Sequence, residues 1–349
     1  MNGIILFVAL ILFLWLGRSI LIPLLVATFL WYLINATATY CRKLFPFNSD
    51  TDRKSRPVIS RAFDWTSNVL AVIAMCILIY FFATQIQPMF RELVAALPGL
   101  QHKFVQFTDY LTRSVGLRFD ASMLPNIANI ATNIGASVAG IVTSTGMILV
   151  YMIFLFVEQS TFNKKFAALF PNKTKHKKVR YIVDSIDENM KKYLFMKTVL
   201  SGITGILSYF WLQMIGVEFA GIWAFIVFIT SYIPTIGAIV ACALPILYSL
   251  ITAPSLQQPI LTAVGLIALQ VIFGNILEPK FTGKTLNLST LAILINLVFW
   301  GMIWGIAGMF FSVPLLVAIF IITAQFDSTR WIAVLLSADG KIPDKRDDD

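Results

Sequence analysis

"FGNILEPKFTGKTLNLS", residues 273–289, sets Glu278, Pro279, Lys280, Gly283 and Lys284 within seven positions. On both sides the chain avoids charge: residues 219–277 hold no Asp, Glu, Lys or Arg, and neither do residues 285–326. A helix needs about 20 apolar residues to cross a bilayer core, so these flanks read as membrane segments. A Pro-Gly knot between them is either a turn at the membrane interface with two snorkelling lysines or a broken helix. A broken helix is tolerated at membrane depth only where its loosened backbone is buried in protein or faces water.

Composition supports the same class. Of 349 residues, 58% are hydrophobic and only 13% charged, with mean hydropathy +0.80. A soluble domain is about half apolar, with roughly a quarter of its residues charged. The fold class is therefore all-α: a polytopic helical membrane protein with about eight to ten membrane segments, including broken or re-entrant helices in the C-terminal half.

The net charge of +9 is concentrated in two places. Residues 41–64 carry six Lys/Arg and residues 158–197 carry ten, whereas in residues 86–136 Arg91, Lys103, Arg113 and Arg118 are offset by Glu92, Asp109 and Asp120. Excess Lys/Arg marks cytoplasmic loops. The basic stretches are thus topological signals rather than a nucleic-acid surface, and both termini are expected in the cytoplasm. Cys41, Cys76 and Cys242 are scattered, and His102 and His176 lie in different hydrophilic regions. No metal, cofactor or nucleophile–base constellation is expected, so enzyme chemistry is not indicated.

Six regions follow. Residues 1–85 hold apolar runs at 3–17 and 19–40, read as a hairpin broken at Gly17-Arg18, then a basic loop and a span over 65–85. A signal peptide ending near Ala36-Thr37-Ala38 is the rival reading, but the apolar run is too long and no basic residue precedes it. Residues 86–136 form an extracytoplasmic helical cap, where Leu100, Phe104, Phe107 and Leu111 recur at helical spacing. Residues 137–157 make the next membrane helix. Residues 158–197 form a basic amphipathic region whose stripe is Val179, Ile182, Val183, Ile186, Met190, Tyr193 and Leu194. That stripe lies on the membrane, packs on a neighbouring subunit, or covers the inner ends of the spans. Residues 198–326 are an apolar transport core with spans at 198–215, 219–234, 237–253, 258–277, 287–303 and 305–325. The pair around Pro234 is either two full spans or includes a re-entrant element. Residues 327–349 are a polar cytoplasmic tail, in which "SADGKIPDKRDDD" (337–349) is expected to be disordered.

"SYIPTIGA" (231–238), "FGNILEPKFTGKTLNLSTL" (273–291) and "FWGMIWGIAGMFFSVPL" (299–315) resemble the bacterial autoinducer-2 exporter family, and the order of elements resembles it over nearly the whole chain. The resemblance implies a multi-pass inner-membrane permease with small-molecule cargo, autoinducer-2 in the branch it most resembles. It also admits a sodium/proton antiporter or a permease for another solute, because fold does not settle cargo.

The residues themselves suggest where a path would run. Pro279 disfavours helical geometry at Glu278, and Gly283 frees the backbone one turn on. Thr282, Thr285, Asn287 and Ser289 offer caps for a restarted helix. Broken helices expose the backbone groups that transporter sites are built from. The candidate gating set is Glu278, Pro279, Gly283, Asn275, Tyr232, Pro234, Thr235 and Gly237, with Gln270 and Asn296 as further pathway polars. Glu278 leads for any ion coupling, since it is the acid flanked by long apolar runs on both sides. Gly301-x-x-x-Gly305 and Gly305-x-x-Gly308 allow close helix approach, within one subunit or in a homo-oligomer.

Overall fold

The computed structural model describes residues 2–44, a scatter of positions between 84 and 112, and residues 127–282 and 287–342. The predicted span at 65–85, most of the cap, and Gly283 and Lys284 lie outside the described residues. The helices are α1 (Asn2–Leu16), α2 (Arg18–Leu44), α3 (Ile127–Leu169), α4 (Lys173–Ile215), α5 (Ala220–Thr230), α6 (Ile236–Thr252), α7 (Gln257–Gln270), a π-helix (Val271–Leu277), α8 (Glu278–Thr282), α9 (Thr290–Ala324) and α10 (Arg330–Leu336). No strand occurs among the described residues beyond an isolated bridge of Leu288 with Ser337. In lipid every backbone polar group must be satisfied internally, and helices do this within one segment. Their outward faces are apolar: Phe210 is 63% and Met302 80% exposed.

α4 joins what the sequence divided. Its 43 residues span about 65 Å at 1.5 Å per residue, twice a hydrocarbon core of about 30 Å. From Lys173 on, the basic amphipathic region and the span at 198–215 are one continuous helix, while residues 158–169 extend α3.

The chain forms two compact units, one of residues 1–77, 146–198 and 279–349, the other of 78–145 and 199–278. In the first unit the amphipathic stripe of α4 finds its partner. Ile182, Met190, Tyr193 and Leu194 pack on Val313, Val317 and Ile321 of α9, flanked by Phe29 and Tyr32 of α2. Further along α2, Trp31 Nε1 donates to Gln159 Oε1 of α3 at 3.0 Å, and Gln159 Nε2 to Asn35 Oδ1 at 3.4 Å.

The predicted N-terminal hairpin is corrected. Gly17 N donates to Phe13 O at 2.8 Å and Leu21 N to Gly17 O at 2.9 Å, so the helical ladder runs through the junction. α1 and α2 therefore bend at Gly17 and meet only there.

The true hairpin of this unit is α9. Gly305 sits at φ 62°, ψ −138°, which no helix accommodates. Asn296 Nδ2 donates to Ser312 O at 2.6 Å, groups that a straight helix would hold about 24 Å apart. The arms, 290–304 and 306–324, match the predicted spans at 287–303 and 305–325. Gly308 faces the first arm so closely that a Cβ there would lie 1.9 Å from Trp300 O. Trp300, Ile303 and Trp304 pack with Leu14, Leu21 and Leu25, and Trp304 Nε1 donates to Leu14 O at 2.9 Å.

In the second unit the end of α4 packs with α5, α6 and α7 around Leu212, Val217, Ala220, Trp223, Tyr248 and Leu266. Leu93 and Leu100, from the predicted cap, rest on this cluster. Gly265 lets α7 lie against Trp211, whose Nε1 donates to Leu261 O at 3.1 Å; a Cβ at Gly265 would come within 1.8 Å of that nitrogen.

Candidate functional site

α5 ends after 11 residues, a rise of about 16 Å, and the chain turns through Ser231–Thr235. Pro234 removes a backbone donor, and Thr235 takes φ 58°, ψ −60°, a region that side chains other than glycine enter at a cost. Gly237 then approaches the end of α5, where a Cβ would lie 1.7 Å from Thr230 O. Thr230 Oγ1 donates to Ile226 O at 2.7 Å and Ser231 Oγ to Val227 O at 2.6 Å, satisfying carbonyls of the last turn. Tyr232 is buried with its ring edge-on to Phe228 at 5.7 Å, while Thr235 is exposed. The four candidates Tyr232, Pro234, Thr235 and Gly237 thus share one turn, joining two helices shorter than a full span.

The second stretch differs from its sequence reading. Glu278 is helical at φ −56°, ψ −50°, and α8 continues without a break from the π-helix. Pro279 does not unwind the residue before it. In an α-helix its ring would clash with the carbonyl four residues back, at Asn275. The helix has already widened: Glu278 N donates to Phe273 O, five residues back. Wide turns of this kind occur often at functional sites. Asn275 is exposed and Glu278 half-buried.

Gln270, at the entry to the π-helix, presents a buried Nε2 that has no hydrogen-bond partner among the described residues. Gly274, one turn on, leaves open space beside it, a Cβ there meeting only Gln270 Oε1 at 3.7 Å. An unsatisfied buried donor costs about 1–3 kcal/mol. Gln270, Asn275 and Glu278 lie on one helix of the second unit, which also holds the Ser231–Thr235 turn.

Pro279 and Asn296 belong to the first unit. Asn296 is engaged at both ends, since Trp300 Nε1 donates to its Oδ1 at 3.1 Å while its Nδ2 reaches Ser312 O. Two expected caps do other work. Ser289 makes no side-chain cap on α9, and Asn287, at φ 38°, donates to Asp339 Oδ1 at 2.6 Å and Lys341 O at 2.9 Å. With Ser289 N on Leu336 O at 2.8 Å and Ala338 N on Asn287 O at 2.9 Å, residues 337–341 clasp the chain behind the knot. The tail was expected to be disordered; to Lys341 it is hydrogen-bonded, and residues 343–349 lie outside the described ones. The Asn287 amide, aided by the Lys341 backbone N–H, holds the Asp339 carboxyl below its usual range.

The sequence sets Glu158, Glu218 and Glu278 at predicted span ends, and Glu218 was not among the site candidates. Glu218 is the sole charged residue in 198–277, and that isolation was the available signal. Its Oε2 accepts from Tyr248 OH at 2.7 Å, its carbonyl accepts from Trp223 Nε1 at 3.1 Å, and the Tyr248 ring lies 5.3 Å from that of Trp223. No group of three or more His, Cys, Asp or Glu side chains able to hold a metal occurs among the described residues.

The family model described as AI-2E family transporter matches residues 4–327. The chain is 30% identical over 278 residues to the AI-2 transport protein TqsA of Escherichia coli, covering 77% of this chain and 78% of that protein. It is 34% identical over 262 residues to a putative transport protein of Haemophilus influenzae, covering 72% and 73%. It is also 35% identical over 128 residues to the putative transport protein YhhT of Escherichia coli, covering 37% and 36%.

Proposed function

The chain belongs to the AI-2E transporter family, and on that premise we propose that it exports autoinducer-2 across the bacterial inner membrane. The path is bordered by the Ser231–Thr235 turn and the helix carrying Gln270, Asn275 and Glu278. The observation that carries this reading is the buried, unpartnered amide of Gln270 beside a π-helix, within a run free of charge. Such a donor is costly unless a ligand satisfies it. A small, hydroxyl-rich cargo suits it, and Tyr232, Thr235 and Asn275 offer the same kind of partner. The name of the Escherichia coli relative supports the cargo. Glu278, on that same helix, gates the path. The excess of Lys and Arg in residues 41–64 and 158–197 supports a cytoplasmic side for those two stretches.

The test is efflux of labelled autoinducer-2 from proteoliposomes holding the purified full chain, with and without a proton gradient. Protein-dependent efflux is expected. Gln270→Leu keeps the volume and removes the amide, and is expected to lower the rate at least fivefold while inserting normally; Glu278→Gln is expected to abolish any acceleration by the gradient. Efflux no faster than from empty liposomes would overturn the cargo, and a normal rate in Gln270→Leu would overturn the path. Protein-dependent proton movement driven by sodium, without autoinducer-2 efflux, would point to sodium/proton exchange.

A further inference from the structure

The α4–α5 turn and the α6–α7 connection border an open cleft of about 680 Å³ lined by Trp211, Glu218, Thr252, Ser255, Gln257 and Gln258. All six lie in the second unit, and none belongs to the path proposed above. The volume is that of a small-molecule site, which runs about 300–1,000 Å³, and a bare ion would leave most of it to water.

Hydrogen-bond accounting shows what the walls still offer. Trp211 Nε1 is spent on Leu261 O, and Gln258 Nε2 on Gly216 O at 2.9 Å and Ile215 O at 3.4 Å. The Thr252 hydroxyl donates to Tyr248 O at 2.9 Å, and Tyr248 OH is spent on Glu218 itself. Four donors around the cleft are thus committed inside the protein. What remains is acceptor capacity at Gln258 Oε1 and Thr252, the Trp211 ring, and a carboxylate that no Lys or Arg pairs with among the described residues. Glu218, Ser255 and Gln257 stand at the exposed rim. An unneutralised negative charge beside an aromatic face selects a cation. An ammonium meets both the carboxylate and, within about 6 Å, the face of a tryptophan.

We infer that this cleft binds a small organic ammonium group, carried by a free amine or by the headgroup of a phosphatidylethanolamine. The inference is independent of the exported cargo, because its residues and its readout are separate from those of autoinducer-2 efflux.

Calorimetry on the full chain in a maltoside detergent, which carries no ammonium, tests it. The probes are choline, its uncharged isostere 3,3-dimethyl-1-butanol, and a short-chain phosphatidylethanolamine. Choline or the lipid is expected to bind, with the isostere at least tenfold weaker than choline. Whichever of the two binds tighter assigns the source. Glu218→Gln leaves an acceptor for Tyr248 and is expected to weaken binding at least tenfold without changing the melting temperature. Trp211→Phe keeps an aromatic face and is expected to stay within threefold. Equal affinity for the isostere, unchanged affinity in Glu218→Gln, or no binding of choline or the lipid would overturn the inference. If Glu218→Gln proves unstable, the comparison of choline with its isostere on the unchanged protein decides.

Discussion

Two helical hairpins, one in each unit, are built to different standards. The turn at Gly305 is a single residue whose arms are tied by Asn296, which reaches Ser312 O across the hairpin, while Trp300 of the same arm donates to Asn296 and packs 4.6 Å from Trp304. The turn at Ser231–Thr235 is longer, includes a proline, and contains a threonine at positive φ. Its arms are joined by side chains at the open end, where Tyr248 meets Glu218. Both hairpins rely on a glycine just past the bend, Gly308 and Gly237, where backbone approaches too closely for a Cβ. The lesson is a division of labour. The first hairpin uses its polar groups to hold itself, and the second leaves Thr235 exposed at its tip.

The largest expected effect tests the feature the hairpins share. Gly308→Ala and Gly237→Ala each force a Cβ against a carbonyl oxygen, at 1.9 and 1.7 Å. Both are expected to lose about 3 kcal/mol or more, as severe backbone and packing conflicts do, read as lost yield or a collapsed melting temperature in detergent. If only Gly308→Ala fails, the α5–α6 turn can rearrange, and the contrast sharpens.

Next comes a pair of opposite outcomes. Asn296→Leu leaves Ser312 O and Trp300 Nε1 without partners and is expected to cost about 2 kcal/mol, while surviving protein transports at the normal rate per molecule. Gln270→Leu removes a donor that has no partner and is expected to leave stability unchanged or raise it by about 1 kcal/mol, while efflux falls. A loss of flux from Asn296→Leu at full stability would break the division between a held and an available hairpin.

A smaller effect is expected at Thr235. Thr235→Gly removes the cost of positive φ, about 1 kcal/mol, offset in part by glycine's greater freedom when unfolded. A modest net gain in melting temperature is expected, and a loss would show that the side chain holds the turn.

The smallest effect concerns the clasp. Because the Asp339 carboxyl is held below its usual range, its contribution is complete above the unfolded carboxylate value of about 3.9 and is lost as pH falls through the folded value. Amide exchange at Ala338 and Ser289 is expected to quicken below about pH 4, and Asn287→Ala to quicken it at all pH values.

Much of this architecture was legible. The charge-free runs located the arms of both hairpins to within about four residues, although around Pro234 they left two spans and a re-entrant element as alternatives. Three features were not legible, for separate reasons. The step from basic to apolar composition near Lys197 looked like a boundary, yet composition changes at the membrane surface while a helix simply continues through it. Gly17 looked like a turn, but glycine permits a bend as readily as a reversal, and only packing decides. Pro279 looked like a break because propensity assumes α-helical register, and the widening that accommodates proline begins several residues earlier. At the site, the polar residues were visible one by one, but which of them would be spent internally, as Asn296 is, depends on contacts 16 residues away.

The seven-residue π-helix at Val271–Leu277 has a geometric consequence of its own. A wide turn holds one more residue than the α-helical turn it replaces, so it absorbs an extra position without turning the helix beyond it. Each residue advances an α-helix by about 100°. Were Val271–Leu277 wound as ordinary α-helix with no residue removed, Glu278 would swing by about that angle relative to Gln270. The wide turn thus keeps Glu278 on the side it would hold in an α-helix one residue shorter.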